Sequence, residues 1–329
     1  MKKKAKKLSK VKLWAIISAA ILVLFSLAII ITNVFIPVKY LASYCVSGKR
    51  AKEGIMRVTF VDVGNGDCII VELPDGKNML IDAGKGRYTA NSKILKELNR
   101  RDIDTIDYLV CSSVNGEHCG GFAEIMKYKT VKTIYMPYCK NKYITDEFRY
   151  FVEQTEKSGA EIIYSEYKVG ESGEDYFFTF LSPSLIGADG GEYEKLNSDP
   201  SKTERDNGSA VLWLEYSDTA FLFTSDVEAE VLESIATAYR VSPDDYPVNL
   251  EKCKIVQLAG HGSAVSACAQ LYDLLHAYAA VISVGQNAVG CPSVEAITDI
   301  VNSVDENLYR TDEHGNVTVE VTTAGFTVK

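Results

Sequence analysis

The sequence predicts an α/β domain standing behind a single N-terminal transmembrane helix. Three features carry that expectation. A stretch near the N-terminus has no charged residue, later strand-like runs alternate with helix-like periodicity, and a polar loop, Ser112 to Gly121, separates an apolar run from a helix-like one. Sites in α/β proteins often lie in such loops, at the C-terminal ends of strands.

Taken in order, residues 1–12 carry seven lysines and no acid. Leu13 to Val38 is uncharged and rich in Leu, Ile, Val, Ala and Phe; its 26 positions exceed the ~20 needed to span a bilayer. A secretory signal peptide would have a shorter apolar core, about 7 to 15 residues. Leu41-Ala42-Ser43-Tyr44-Cys45 departs from a lipid-attachment box because Tyr44 stands where a small residue should precede the cysteine. The lysine-rich flank places the N-terminus in the cytoplasm and the domain outside the cell membrane. Residues 1–12 are therefore read as a cytoplasmic segment, 13–38 as a transmembrane helix, 39–55 as a tether and 56–329 as the folded domain.

Within that domain, Met56 to Val63, Cys68 to Leu73 and Asn78 to Ile81 read as strands, and Pro74-Asp75-Gly76 as the turn of a hairpin. Ala90 to Arg100 has helical periodicity, with Ile94, Leu95 and Leu98 on one face. Strands are expected at 108–111, 133–136 and 161–164, and a hairpin around 177–181. Ser184 to Arg205 reads as a long surface loop. The second half predicts strands at 210–216, 220–224, 254–258 and 279–284, helices at 227–239, 267–276 and 293–304, and terminal strands near Tyr309, Val317 and Phe326. Such an order suits two sheets with helices outside them, and alternation alone also allows a doubly wound sheet.

Composition supports one folded domain: 47% hydrophobic and 24% charged residues, with 23 glycines and 8 prolines in 329. Net charge is −9; setting aside seven of the 35 basic residues leaves 28 against 44 acids, about −16 for the remainder. That balance disfavours nucleic acid as a partner unless a local basic groove exists. The eight cysteines contain no CxxC pair, which excludes a zinc ribbon or thioredoxin-type motif.

Several blocks together resemble the metallo-β-lactamase-like domain found at the end of ComEC-type DNA-uptake proteins and in related stand-alone hydrolases. Phe60-Val61-Asp62-Val63-Gly64-Asn65-Gly66-Asp67 is similar to the family's F-x-D-V-G-Q-G-D, and Leu80-Ile81-Asp82-Ala83-Gly84 to its L-I-D-x-G. Asp206-Asn207-Gly208-Ser209 resembles D-N-x-S, and Phe223 to Glu228 resembles L-T-G-D-x-E. Gly260-His261-Gly262-Ser263 resembles H-H-G-S; Ile282 to Gly285, Gly290 to Ser293 and Tyr309 to Asp312 complete the series. The resemblance covers about 56–321 and implies a four-layer αββα sandwich with metals held by loops along one edge of the two sheets.

The family's H-x-H-x-D-H loop holds two metals that share an activated water. By this resemblance the first two histidines are Ser113 and Asn115 here, the aspartate is Glu117, and the last histidine is His118. Asp226 keeps the metal-bridging carboxylate, the histidine pair has become Gly260-His261 with either one the ligand position, and the G-H-P-S histidine is Cys291.

The resemblance leaves two readings. In one, the site is degenerate, the chain has little or no hydrolase activity and binds a ligand or protein partner; Asp226 then caps the helix expected from Val227. In the other, Glu117, His118, Asp226 and His261 hold one zinc or manganese ion, with Cys291 as a further candidate ligand. Asp226 or Glu117 would be the general base in hydrolysis of a phosphodiester or nucleic acid. A disulfide between Cys119 and Cys291, stapling the loops where metals once did, stands beside the alternative of two buried thiols. His276 and His314 read as structural or solvated.

Overall fold

The computed structural model describes residues 10–35, 40–46, 48–139, 144–183, 200–287, 289–304 and 307–329. Helix α1 (Lys10–Phe35) and one-turn α2 (Leu41–Tyr44) come first. The first half of the domain runs β1 (Met56–Phe60), β2 (Ile69–Glu72), β3 (Asn78–Ile81), α3 (Tyr88–Arg100), β4 (Thr105–Val110), α4 (Gly116–Cys119), α5 (Phe122–Ile125), β5 (Thr130–Met136), α6 (Asp146–Ser158) and β6 (Glu161–Tyr164). The second runs β7 (Gly170–Ser172), β8 (Tyr176–Ser182), α7 (Lys202–Asn207), β9 (Val211–Tyr216), β10 (Thr219–Phe223), α8 (Ala229–Val241), β11 (Cys253–Gln257), α9 (Ala269–Leu275), β12 (Ala279–Ile282), α10 (Val294–Val301), β13 (Leu308–Arg310) and α11 (Thr311–His314). Strands β14 (Val317–Thr322) and β15 (Gly325–Val328) close the chain.

These strands make two sheets. One has the order β15-β14-β1-β2-β3-β4-β5-β6, the other β13-β12-β11-β10-β9-β8-β7. Their inner faces meet in one apolar cluster that includes Val58, Phe60, Val71 and Tyr135 from the first sheet and Phe178, Leu214, Phe221 and Val281 from the second. A second cluster lies between the β8–β12 face and α8, α9 and α10, with Trp213, Leu232 and Leu271 in it. A third joins the outer face of the first sheet to α3, α5 and α6 through Ile70, Leu109, Leu98 and Phe151. Three apolar interfaces between four layers give the αββα sandwich rather than a doubly wound sheet. The continuous burial of β2, β3, β9 and β10 follows from their being covered on both faces.

Each sheet changes direction halfway. Strand β3 pairs in parallel with β4, β4 with β5 and β5 with β6; likewise β10 with β11, β11 with β12 and β12 with β13. The C-terminal ends of β3 and β4 and of β10, β11 and β12 therefore deliver their loops to the same edge, where a crevice forms. The β2–β3 hairpin closes as the Pro74-Asp75-Gly76 signal predicts, with Gly76 at φ 85° and its N–H on the Leu73 carbonyl.

Two local expectations are corrected. Residues 184–199 of the expected long loop lie outside the described residues, but 202–207 form α7, nucleated by a capping box between Ser201 and Glu204. Helix α8 starts at Ala229 with Glu228 at its N-cap, and Asp226 is not its cap.

Of helix α1, large apolar side chains such as Trp14, Leu22, Phe25 and Ile30 are exposed. Among the described residues no helix is long and apolar enough to cross a membrane. The last three positions of the uncharged 13–38 run lie outside the described residues. After it, the chain lies along α3: Tyr40 is buried and stacks on Tyr88, the Ser43 hydroxyl donates to the Ser92 carbonyl, and Asn99 donates to the Ser43 carbonyl.

Candidate metal centre

The crevice gathers side chains from five strand ends. Asp82 follows β3, Ser112 follows β4, His118 lies in α4, Ser225 and Asp226 follow β10, His261 follows β11, and Ser283 follows β12. Asp67 enters from the turn between β1 and β2, where its backbone N–H donates to the Glu117 carbonyl. Asp82, Ser225 and His261 adopt left-handed φ values of 58°, 52° and 57°. Three non-glycine residues in this region within one site indicate backbone strain held by the surrounding packing.

His118 is fully buried. Its Nδ1 donates to Asp82 Oδ2 at 2.8 Å and lies 3.6 Å from Asp67 Oδ2, while its Nε2 is 3.0 Å from Asp226 Oδ2. The last contact is close without being aligned as a hydrogen bond, so Nε2 is a buried nitrogen with no hydrogen-bond partner. His261 repeats the arrangement. Its Nδ1 donates to the Ser283 carbonyl at 2.9 Å, and its Nε2, 3.8 Å from Asp226 Oδ1, is likewise buried without a partner. The two imidazoles stack with ring centroids 5.5 Å apart.

An imidazole whose Nδ1–H is committed elsewhere presents an Nε2 lone pair, the tautomer that binds metals. Two such lone pairs facing one carboxylate repel unless a cation or proton lies among them. Donor atoms of His118, Asp226 and His261 all lie within 4.8 Å of one another, as do those of Asp67, Asp82 and His118. The residues thus fit a single borderline metal with two nitrogen donors and one oxygen donor, the Asp82 carboxylate and the Ser283 carbonyl acting as orienting partners behind the imidazoles.

Without a metal, a proton serves the same position. Burial opposes the charge on His118, but the Asp226 and Asp82 carboxylates outweigh it and hold the imidazole pKa well above its ordinary value. Burial would raise the Asp226 carboxyl, but His118 first and His261 after it bring it below its usual range. Asp82 is raised by burial, against the lowering effect of His118. Asp82 also accepts from the Ser112 backbone N–H and hydroxyl, and the Ser112 and Ser225 hydroxyls meet at 2.6 Å across the two sheets.

The other side of Asp226 is built differently. The Asn115 amide nitrogen donates to Asp226 Oδ2 at 2.7 Å and to Asp206 Oδ1 at 2.8 Å. Lys202 Nζ pairs with Asp206 Oδ2, and Arg205 Nε donates to Asn115 Oδ1 at 3.2 Å. Helix α7 thus brings an ammonium and a guanidinium to the region where the family resemblance places ligands from the Ser113 and Asn115 positions. Ser113 is buried, its hydroxyl accepting from the Asn115 N–H.

Of the residues singled out from sequence, His118, Asp226 and His261 come together. Glu117 does not join them: its carboxylate is one-third exposed and lies 3.9 Å from Lys85. Gly260 has φ 56°, and a Cβ there would stand 2.6 Å from the Ser263 and Ser266 hydroxyls, so His261 is the member of the pair that reaches the site. Of the two alternatives for Cys119 and Cys291, the disulfide is absent: both cysteines are free, Cys119 buried and Cys291 half-buried. Cys119 packs into the cluster under the first sheet, its thiol on the Val114 carbonyl, whereas Cys291 packs against the second, its thiol near the Gly260 carbonyl. The two sulfurs belong to opposite halves of the sandwich. Cys291 is also outside both donor clusters. His276 ends α9 in a left-handed conformation, and exposed His314 accepts from the Arg310 N–H.

Asp67, Asp82 and Asp206 also reach the site, although the sequence motifs that contain them do not by themselves mark them as site residues. For Asp82 the available signal is an aspartate closing an apolar strand, a placement that solvent-facing loops do not require; Asp67 lies in a turn and Asp206 in α7, where no such signal marks them. Gln257, which donates to Asp67 at 2.6 Å, and Lys202 carried no comparable signal.

Comparison with known proteins agrees with this fold. Residues 61–255 match the model of the metallo-beta-lactamase superfamily. ComE operon protein 3 of Bacillus subtilis (strain 168) is 22% identical over 278 residues, which are 79% of this chain and 32% of that protein, so the chain spans about a third of that relative's length. Among solved structures, a variant of the CmlA beta-hydroxylase superposes with a TM-score of 0.50 at 12% identity, covering 80% of this chain and 53% of that one. The metallo-beta-lactamase fold protein YhfI from Bacillus subtilis gives 0.48 at 10% identity, covering 80% and 99%. The chain belongs to the metallo-β-lactamase superfamily, as a domain of the ComEC type.

Proposed function

We propose that this chain is a membrane-anchored, outward-facing protein whose domain holds one divalent transition metal, zinc or manganese, and no longer carries out two-metal hydrolysis. It serves as a binding domain for a ligand or partner at the old site edge. One observation carries the reading: two buried imidazole nitrogens without hydrogen-bond partners face a single carboxylate, while the neighbouring position is occupied by protein N–H donors. Anchoring is supported by the uncharged run at 13–38, by the lysine-rich flank before it and by the exposed apolar surface of α1.

A second reading, a single-metal hydrolase acting on a phosphodiester, is favoured by the small number of protein donors. Three leave a coordination position open, where a bound metal would acidify water. Asp226 would then orient that water, and Lys202 and Arg205 would offer positive charge to a phosphate.

Metal content of the purified full chain, measured alongside phosphodiester turnover with added zinc or manganese, tests both. About one metal per chain without chelator-sensitive turnover is expected. Turnover lost in Asp226→Ala would replace the proposal with the hydrolase reading. Failure to retain either metal would leave a protonated His118 as the site's cation and end both.

A further inference from the structure

The exposed side of α3 and the turn before it carry Lys85, Arg87, Lys93, Lys96 and Arg100, with the half-exposed ring of Tyr88 at the helix's first residue. The one acid within the helix, Glu97, is buried and taken up by Arg101 and Arg100. Lys85 and Lys93 are answered by Glu117 at 3.9 Å and Asp62 at 2.6 Å; Arg87 and Lys96 have no acidic partner among the described residues. A basic face of this kind runs against the chain's overall balance of −9.

Its place in the fold is specific. The chain leaving the apolar N-terminal segment docks on this helix, with Tyr40 stacked on Tyr88 at 5.4 Å and the Ser43 hydroxyl on Ser92. It continues past Gly48, where a Cβ would stand 2.1 Å from Arg100 Cγ. Residues 40–46 and Gly48 therefore lie along α3 from its N-terminal to its C-terminal end, with Tyr40 at the Tyr88 end. Resting on the membrane-anchored reading above, we propose that this face lies on the outer leaflet beside its own anchor and binds the phosphates of anionic lipid headgroups. Half-exposed Tyr88 would sit at the level favoured by amphipathic aromatic rings, and each engaged cation would strengthen the contact about fivefold.

The test reconstitutes the full chain in nanodiscs of phosphatidylcholine alone or with one-third phosphatidylglycerol. It then follows the rate at which an amine-acylating reagent modifies Lys93 and Lys96, with exposed Lys168 as the internal reference. Labelling of both should slow on the order of fivefold on anionic discs. The difference should vanish at molar salt and in Lys85→Gln/Arg87→Gln, which leaves both reporting lysines in place. Equal labelling on the two discs, with the chain still disc-bound, overturns the surface assignment alone. A chain that elutes free of both discs overturns the anchoring and the proposal together. Equal protection by a single-stranded oligonucleotide without lipid overturns the lipid assignment in favour of nucleic acid.

Discussion

The two sides of Asp226 surround one buried carboxylate with positive character in different ways. Towards His118 and His261 the carboxylate faces Nε2 atoms of imidazoles whose Nδ1 protons are already committed, so a proton or metal between them would relieve the repulsion. Towards Asn115 it faces an amide that donates to it and to Asp206 at once, with Lys202 and Arg205 behind. Both sides gather buried carboxylates, and burying these unpaired would cost several kcal/mol each. The difference teaches that loss of a metal ligand need not empty a site: N–H donors supply the missing positive character.

The largest expected break is Asp226→Ala. Removing the carboxylate common to both sides should abolish metal retention, read by elemental analysis. It should also lower unfolding free energy by about 3 kcal/mol or more in urea, because buried partners lose their counter-charge. Asn115→Leu should cost about 1 to 3 kcal/mol by leaving Asp206 and Asp226 without the shared amide, while one metal per chain is retained. Loss of the metal in Asn115→Leu would show that the two sides are a single unit.

A pH series sharpens the same contrast. In metal-free protein the folded His118 pKa is raised, so its contribution to stability is fully present below the unfolded imidazole value of about 6.5. It declines as pH rises from there through the raised folded value. Metal affinity should move the other way, strengthening with alkalinity as the competing proton leaves. Urea midpoints and metal titrations across that window check both signs; parallel trends would contradict the shared-position account. The smallest effect belongs to Glu117→Gln, which should leave metal content unchanged and stability within about 0.5 kcal/mol, as its carboxylate is a third exposed and lies by Lys85. Reducing agent should leave the melting temperature unaltered, since Cys119 and Cys291 are unpaired.

Much of the fold was legible because its signals are local. Apolar runs with β-branched residues marked β2, β3, β9 and β10, and the Pro74-Asp75-Gly76 turn joined the first pair. The N-terminus of α7 was legible too, in Ser201-Lys202-Thr203-Glu204, although the surrounding polar stretch obscured it. Boundaries moved where tertiary contacts outweigh local preference: Asp226 would serve well as a helix cap, but its carboxylate gains more from Asn115 and His118.

By itself, then, the sequence determined most of the strands, the family and the residue types at the family's ligand positions, because periodicity and motif spacing are properties of the chain; it passed over α6 and α7. It could not decide between the two members of Gly260-His261, nor whether Cys119 could meet Cys291, nor that Glu117 would turn towards Lys85. Those outcomes depend on side chains far apart in sequence meeting at strand ends. Only the tertiary structure sets the left-handed backbone that aims His261 at Asp226, the opposite placement of the two thiols, and the amide that answers two carboxylates at once.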